Sequence, residues 1–127
     1  MIVNGVNLPD PDVGDLEFLE KYEEQNDIIA KKSAEIDKNA RRSEAVRIQC
    51  TLIFEFFDAV FGEGTARKIF GEKVNLKTCI DAYEETVKGV NALDAQLAGY
   101  FRNKHAGNRQ QRRDQQNSKH KQHKKHK

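Results

Sequence analysis

Residues Val46–Gly71, VRIQCTLIFEFFDAVFGEGTARKIFG, contain five of the seven phenylalanines of the chain. Apolar residues recur there at steps of three and four positions, the spacing of one face of an α-helix. The residues that we expect in the core from this stretch are Val46, Cys50, Ile53, Phe54, Phe57, Val60, Phe61 and Phe70. The stretch therefore predicts a helix with a broad buried face at the centre of the fold.

Glycines end the apolar pattern of this stretch. Gly62 and Gly64 flank Glu63, a spacing that suits a helix stop followed by a tight turn with positive φ. Thr65 is then the expected cap of a short helix, which Gly71 ends. The sequence predicts a helix, a glycine corner and a short helix.

Composition limits how much of the chain can pack into one core. Of the 127 residues, 33% are charged and only 37% are apolar, and the mean hydropathy is −0.83. Residues 105–127 hold eight Lys/Arg and one Asp, which leaves 14 Lys/Arg and 19 Asp/Glu for residues 1–104. The net charge is therefore about −5 for the body and about +7 for the tail. An acidic body with a basic tail is expected to attach to polyanions, or to its own copies, through that tail.

The cysteines and the start of the chain indicate a reducing compartment. Cys50 and Cys79 lie in predicted helices without a CxxC spacing, and residues 1–10 lack a basic signal region. No apolar run approaches the roughly eighteen residues that a membrane span needs. We expect buried, reduced thiols, no membrane contact and a location in the cytoplasm.

The first residues predict a β-hairpin and then a helix. Asn4-Gly5 lies between two short β-prone pieces, which favours a type I′ turn within residues 1–11. Asp15, or Asp12 slightly earlier, is the expected N-cap of a helix that begins near Leu16. This helix either breaks near Asn39 or continues with a bend into the next one.

This first helix carries a thin apolar line, which we call the helix-1 seam. Its members are Leu19, Tyr22, Ile29 and Ile36. Most other positions between Glu23 and Arg42 are polar, so the seam suits contact with a single helix rather than burial in a core. We expect the seam to contact a partner, either another copy of this chain or a helical client. We therefore expect Ile29→Asp to leave folding nearly intact and to abolish client binding.

A last long helix follows Asn75, its expected N-cap. The core residues that we expect from it are Ile80, Tyr83, Val87 and Val90. The apolar pattern stops near His105, so residues 105–127 are expected to be disordered. The predicted fold is mainly all-α: a hairpin (1–11), a helical bundle (12–104) and a disordered basic tail (105–127).

No residue pattern predicts catalysis, a cofactor or a metal ion. The four histidines all lie in the tail among lysines, whose charge repels cations, and none lies in residues 1–104 to act as a base. The tail could contact nucleic acid weakly and without sequence specificity, because phosphate neutralisation needs only positive charge. Its basic residues are Arg109, Arg112, Arg113, Lys119, Lys121, Lys124, Lys125 and Lys127.

Three segments resemble a known family. FFDAVFGEGTARKIFG (Phe56–Gly71), NLKTCIDAYEETVKGVN (Asn75–Asn91) and NRQQRR (Asn108–Arg113) are similar to segments of the small tail assembly chaperones of siphophages and prophages of Gram-positive bacteria. The VNGVNL ribbon, residues 3–8, is similar as well. The terminal SKHKQHKKHK, residues 118–127, has no counterpart in that pattern.

The resemblance implies a protein without enzymatic activity that works during tail morphogenesis. Such a protein would bind the tape measure protein, help to recruit tail tube subunits, stay in the host cytoplasm and be absent from the mature virion. The alternatives are a small nucleic-acid-binding accessory protein that acts through the basic tail, or a structural tail or connector subunit.

Overall fold

The computed structural model describes the backbone of residues 1–120 and the side chains of residues 1–104. Its elements are β1 Ile2–Val3, β2 Val6–Asn7, α1 Leu16–Ala34, α2 Arg42–Phe61, α3 Thr65–Phe70 and α4 Leu76–His120. The chain divides into two compact units, Met1–Leu93 and Asp94–Lys127. The predicted fold class, mainly helical with a short N-terminal hairpin, is confirmed.

The β1–β2 hairpin turns at Asn4 and Gly5, whose φ angles of 51° and 75° are those of the predicted type I′ turn. The Asn4 N–H donates to Glu85 Oε1 at 2.8 Å, and the Asn4 side-chain amide donates to the Ile69 carbonyl at 2.9 Å. Val3 is fully buried. A ribbon this short is marginal alone, and here the helices hold it in place.

Helix α1 begins as predicted and ends earlier. The Asp15 carboxylate accepts from the Phe18 N–H at 3.1 Å, so Asp15 is the N-cap. The last residue of the helix is Ala34, ahead of the predicted break near Asn39. In the connection to α2, the Asp37 carboxylate accepts from the Asn39 N–H at 2.9 Å. Aspartate favours this local turn over a continued helix.

Helix α2 is the centre of the core and is buried over more than the predicted face. Phe56 does not lie on the predicted apolar face, whose residues recur every three or four positions, yet its side chain is fully buried. Its ring meets the rings of Tyr22 on α1, Phe57 on α2 and Tyr83 on α4 at centroid distances of 5.9, 5.2 and 5.2 Å. Phe56 therefore joins three helices, and a helix packed on several sides buries residues outside one stripe.

Most of the predicted core residues of α2 and α3 lie in or against the core. Those that are buried are Cys50, Ile53, Phe57 and Phe70. Those that are half-buried and packed against it are Val46, Phe54, Val60 and Phe61. Their partial exposure marks the edge of the buried face.

The glycine corner between α2 and α3 forms as predicted, but its cap differs. Gly62 and Gly64 have φ of 113° and 92°. Gly64, not Thr65, is the N-cap of α3, and the Thr65 hydroxyl donates back to the Gly62 carbonyl at 2.6 Å. Gly64 has no side chain that could cap α3. The Asp58 carboxylate takes this role and accepts a hydrogen bond from the Ala66 N–H at 2.9 Å. The cap thus comes from α2, which local sequence rules do not anticipate.

Helix α4 begins after Asn75, whose side chain accepts from the Thr78 N–H at 3.0 Å, as predicted. Its buried face is rotated from the predicted one. Ile80 is 40% exposed, so its assignment to the core is wrong. Tyr83 and Val87 are half-buried, and Val90 is buried.

Small residues occupy the inner face of α4. The fully buried residues there are Cys79, Ala82 and Thr86. The Thr86 hydroxyl donates to the Ala82 carbonyl at 2.9 Å, which satisfies its buried polar group within the helix. Small side chains allow α4 to pack closely against the core. They contribute little to a hydrophobic pattern, so the sequence predicted larger neighbouring residues for the core instead.

The predicted tail, residues 105–127, overlaps the end of α4, whose helical backbone is described as far as His120. Residues 121–127 lie outside the described residues, and their predicted disorder stays a prediction. Residues 108–120 hold four glutamines and three arginines, which are good helix formers even without tertiary packing.

We predict that Phe56→Ala lowers the free energy of unfolding by about 3–5 kcal/mol, because it removes a fully buried ring and leaves a cavity. Urea denaturation followed by circular dichroism measures the change. Phe18→Ala is the matched control, since Phe18 is only half-buried and should cost clearly less. Equal losses of unfolding free energy in the two variants would contradict the conclusion that Phe56 lies at the centre of the core.

We also predict that Gly62→Ala destabilises the protein by about 1–3 kcal/mol, because φ of 113° and ψ of 149° lie in a region that L-residues rarely adopt. The comparison variant is Gly99→Ala, at a helical position with open space around it, which should be neutral or stabilising. Thermal unfolding of both variants checks this prediction, and an unchanged Tm for Gly62→Ala would refute it.

Candidate partner-binding surface

The helix-1 seam lies between α1 and the rest of the helical body. Tyr22 and Ile29 are half-buried and pack against the core. Leu19 and Ile36 are also half-buried, but Ile36 lies beyond the end of α1 at Ala34, so its predicted place on the helix is wrong. Within the described helix Leu16–Ala34, no residue is fully buried. The seam does make a two-helix contact, as its narrow width predicts, but for Tyr22 and Ile29 that contact is inside this chain.

Two tyrosines and an asparagine connect α1 to α4 beside Phe56. The Tyr83 hydroxyl donates to Asn26 Oδ1 at 2.5 Å. Burial raises the pKa of Tyr83, and the nearby Tyr22 raises it further. Burial also raises the pKa of Tyr22, an effect that the Asn26 side chain opposes. Both hydroxyls are thus protonated at neutral pH, and the site is a structural hydrogen-bond network without an acid or base of neutral pKa.

This placement corrects the expectation for Ile29. An aspartate at Ile29 would place a charge against the apolar core, so Ile29→Asp should destabilise the fold rather than leave it nearly intact. Ile29 and Tyr22 therefore belong to the fold. Leu19 and Ile36, at the two ends of the seam, remain accessible to a partner in part.

The first turn of α1 carries the accessible apolar surface of this helix. Leu16 is 69% exposed, more than any other large apolar side chain among the described residues. Phe18 and Leu19 follow it and are half-buried. The sequence marks Leu16 only as the start of the helix, because a single apolar residue next to a cap carries no periodic signal.

Acidic side chains form a stripe along the outer face of α1. Positions three and four apart share one helix face. The exposed acidic residues with this spacing are Glu17, Glu20, Glu24 and Asp27. The N-terminal half of α1 thus combines an exposed leucine with a negative stripe, a combination that suits a helix with apolar and basic side chains.

Two open depressions lie along α2. One, of about 230 Å³, is lined by Phe54, Asp58, Ala66, Arg67 and Gly71. The other, of about 300 Å³, is lined by Arg42, Ser43, Val46, Arg47 and Val74. Neither brings together a nucleophile and a base, and the Asp58 carboxylate in the first already serves as the cap of α3. Neither depression therefore has the groups of a reaction centre.

The two cysteines are free and fully buried, in agreement with the predicted reduced core thiols. Burial, with the neighbouring Cys50, raises the pKa of the Cys79 thiol to about 12. Since the thiolate is the reactive form, this thiol is a poor nucleophile at neutral pH.

The described residues hold no group of three or more histidine, cysteine, aspartate or glutamate side chains arranged to bind a metal ion. The four histidines and the predicted basic residues of the tail lie beyond residue 104, where the structure does not describe side chains. The predicted contact of this tail with nucleic acid or another polyanion therefore stays a prediction. In the helices that are described, we find no stretch both long and apolar enough to span a bilayer.

The fold and surface define a small helical protein with an N-terminal β-ribbon and an exposed apolar and acidic edge on its first helix. Residues 4–116 match the model of a family of unknown function, DUF6673. The match covers most of the chain, so the protein belongs to this family. Comparison with curated proteins and with solved structures finds no match.

We predict that a thiol reagent such as DTNB modifies the native protein slowly at pH 8, because both thiols are buried and the raised pKa of Cys79 keeps its thiolate scarce. In guanidinium chloride the same reagent should modify two thiols per chain rapidly. The absorbance of the released thiolate measures both rates. Fast stoichiometric reaction of the native protein would show that the α2–α4 contact is open.

Proposed function

We propose that this protein is a phage tail assembly chaperone without enzymatic activity, which binds the tape measure protein and helps to recruit tail tube subunits. It would act in the cytoplasm of the bacterial host and be absent from the mature virion. The proposal starts from the resemblance of Phe56–Gly71, Asn75–Asn91 and Asn108–Arg113 to such chaperones.

The structure supports the proposal by the role that it gives to the most specific of these segments. In Phe56–Gly71, three buried phenylalanines, the Asp58 cap and the glycine corner hold α3 against α2. The residues of this segment depend on one another for their conformation, so the segment that carries the resemblance is also one structural unit of this chain.

The observation that carries the binding role is the exposed first turn of α1. Leu16 is 69% exposed beside Glu17 and Glu20. Apolar surface of this kind loses contact with water when a partner covers it, and burying one leucine stabilises a complex by roughly 1.5–3 kcal/mol. We assign the client contact to Leu16, with Leu19 at its edge, and to the acidic stripe that follows. The expected client segment is an amphipathic helix with basic flanks.

The two alternative functions predict different behaviour of this chain in solution and in purified particles. A nucleic-acid-binding accessory protein would work through residues 105–127, and its binding would weaken steeply with salt. A structural tail or connector subunit would remain in purified particles. The salt dependence of binding and the protein content of purified particles therefore distinguish these two functions from that of a chaperone.

We predict that the wild-type chain keeps co-expressed tape measure protein of the same phage soluble and copurifies with it after nuclease treatment. Leu16→Asp should reduce this binding at least tenfold, because the charge prevents apolar contact at an exposed site that folding does not use. Val74→Asp is the matched control, since Val74 is 52% exposed and lies outside α1. Pull-down and biolayer interferometry provide the measurements.

Ile29→Asp separates folding from binding in the same experiment, because it should lower the Tm whereas Leu16→Asp should not. Loss of tape measure binding on nuclease treatment would favour the nucleic-acid alternative. Detection of the chain in purified virions by mass spectrometry would favour the structural subunit. Equal binding by Leu16→Asp and wild type would place the client contact elsewhere.

A further inference from the structure

The second unit, Asp94–Lys127, carries an aromatic face on the described part of α4. Tyr100 and Phe101 are 54% and 55% exposed, and their ring centroids lie 5.9 Å apart. The Lys104 ammonium lies 5.1 Å from the centre of the Tyr100 ring. Leu97, one turn earlier, is half-buried. Residues 97, 100, 101 and 104 share one helix face, so the unit presents an apolar stripe that ends in a cation.

The charges that flank this stripe are opposite at its two ends. Asp94 lies one turn before Leu97, and Lys104 lies one turn after Tyr100. If two such helices pair in antiparallel orientation about a point between residues 98 and 99, Leu97 of each copy faces the aromatic pair of the other. The same register places Asp94 of each copy near Lys104 of the other. Parallel pairing would instead align Asp94 with Asp94 and Lys104 with Lys104.

We propose that residues Asp94–Lys104 of α4 form an antiparallel helix pair with the same segment of a second copy of this chain. Leu97, Tyr100 and Phe101 supply the apolar contact, and two symmetric Asp94–Lys104 pairs set the orientation. The pair is isologous, so the complex closes as a dimer.

The charge of the rest of the chain favours the same arrangement. Residues 105–120, whose backbone continues α4, hold four Lys/Arg and one Asp, a net charge of about +3. Parallel pairing would bring two such segments side by side, whereas antiparallel pairing directs them apart. Like charges held together in this way are destabilising, and opposite pairs specify orientation more than they add affinity.

A contact of three helical turns is smaller than the roughly 1,200–2,000 Å² of a stable interface. The dimer is therefore weak and concentration-dependent, with half-association expected in the range of tens to hundreds of micromolar. Aromatic side chains still give such a contact specificity, because they bring a large rigid surface at low conformational cost.

Sedimentation equilibrium of the nuclease-treated full chain, from about 10 μM to 1 mM, tests the proposal without any client. We expect a monomer–dimer equilibrium for the wild type and monomer throughout for the double variant Tyr100→Asp/Phe101→Asp. Ile80→Asp is the control, because Ile80 is an exposed apolar residue of the same helix outside the segment, and it should dimerise as the wild type does.

Charge reversal tests the orientation. Asp94→Lys alone and Lys104→Glu alone each convert two attractive pairs into repulsive ones, so each should weaken the dimer on the order of tenfold. The double variant Asp94→Lys/Lys104→Glu should restore the wild-type dissociation constant. In a parallel dimer the single variants would associate as the wild type does, because the aligned charges stay alike.

A monomeric wild type at 1 mM would overturn the proposal, as would dimerisation of Tyr100→Asp/Phe101→Asp equal to that of the wild type. Association that is seen only in samples without nuclease treatment would also overturn it, because nucleic acid rather than a second copy would then join the chains. None of these outcomes bears on tape measure binding, which depends on α1.

Discussion

The packing of the Phe56 ring is the interaction on which the structure of the body depends. This one side chain meets Tyr22 of α1, Phe57 of α2 and Tyr83 of α4. The hydrogen bond from Tyr83 to Asn26 then ties α4 back to α1 beside the same ring. Since α1 itself contributes no fully buried residue within Leu16–Ala34, the half-buried Tyr22 and Ile29 attach it to the core from its edge. The first helix is therefore held by one face.

That mode of attachment has consequences for function. A helix held by one face keeps its opposite face free, and in α1 that face is acidic, with an exposed leucine at its first turn. The proposed chaperone role uses this free face. The tyrosines beside Phe56 are half-buried and the cysteines of the core are fully buried, and burial raises the pKa of Tyr22, Tyr83 and Cys79 and keeps all three groups protonated. The polar groups of the interior thus serve packing rather than proton transfer.

The features that follow from local chemistry could be predicted from the sequence. The turn at Asn4-Gly5, the caps at Asp15 and Asn75 and the glycine corner at Gly62 each depend on a few neighbouring residues, and all are confirmed. Prediction failed where a distant element decides the outcome. Asp58 caps α3 across the corner, and Phe56 is buried because α1 and α4 cover α2 from different sides.

The proposed binding surface on α1 was also harder to predict, because contacts with distant elements decide which side chains are covered. A thin apolar line on α1 indicates a two-helix contact, but it cannot say whether the second helix belongs to the same chain. On α4, the small residues Cys79 and Ala82 take the inner face and leave Ile80 outside, since hydropathy gives more weight to the larger residue. Leu16 gave no periodic signal, so its exposure became evident only in three dimensions.

Hydrogen–deuterium exchange of wild type and Phe56→Leu tests the central claim most directly. Leucine keeps apolar bulk at this position but loses the aromatic contacts to α1 and α4. If Phe56 holds both helices, amides of α1 and of the first turns of α4 should lose protection together, while α3 changes little. A loss of protection confined to α2, with α1 and α4 exchanging as in the wild type, would contradict this account.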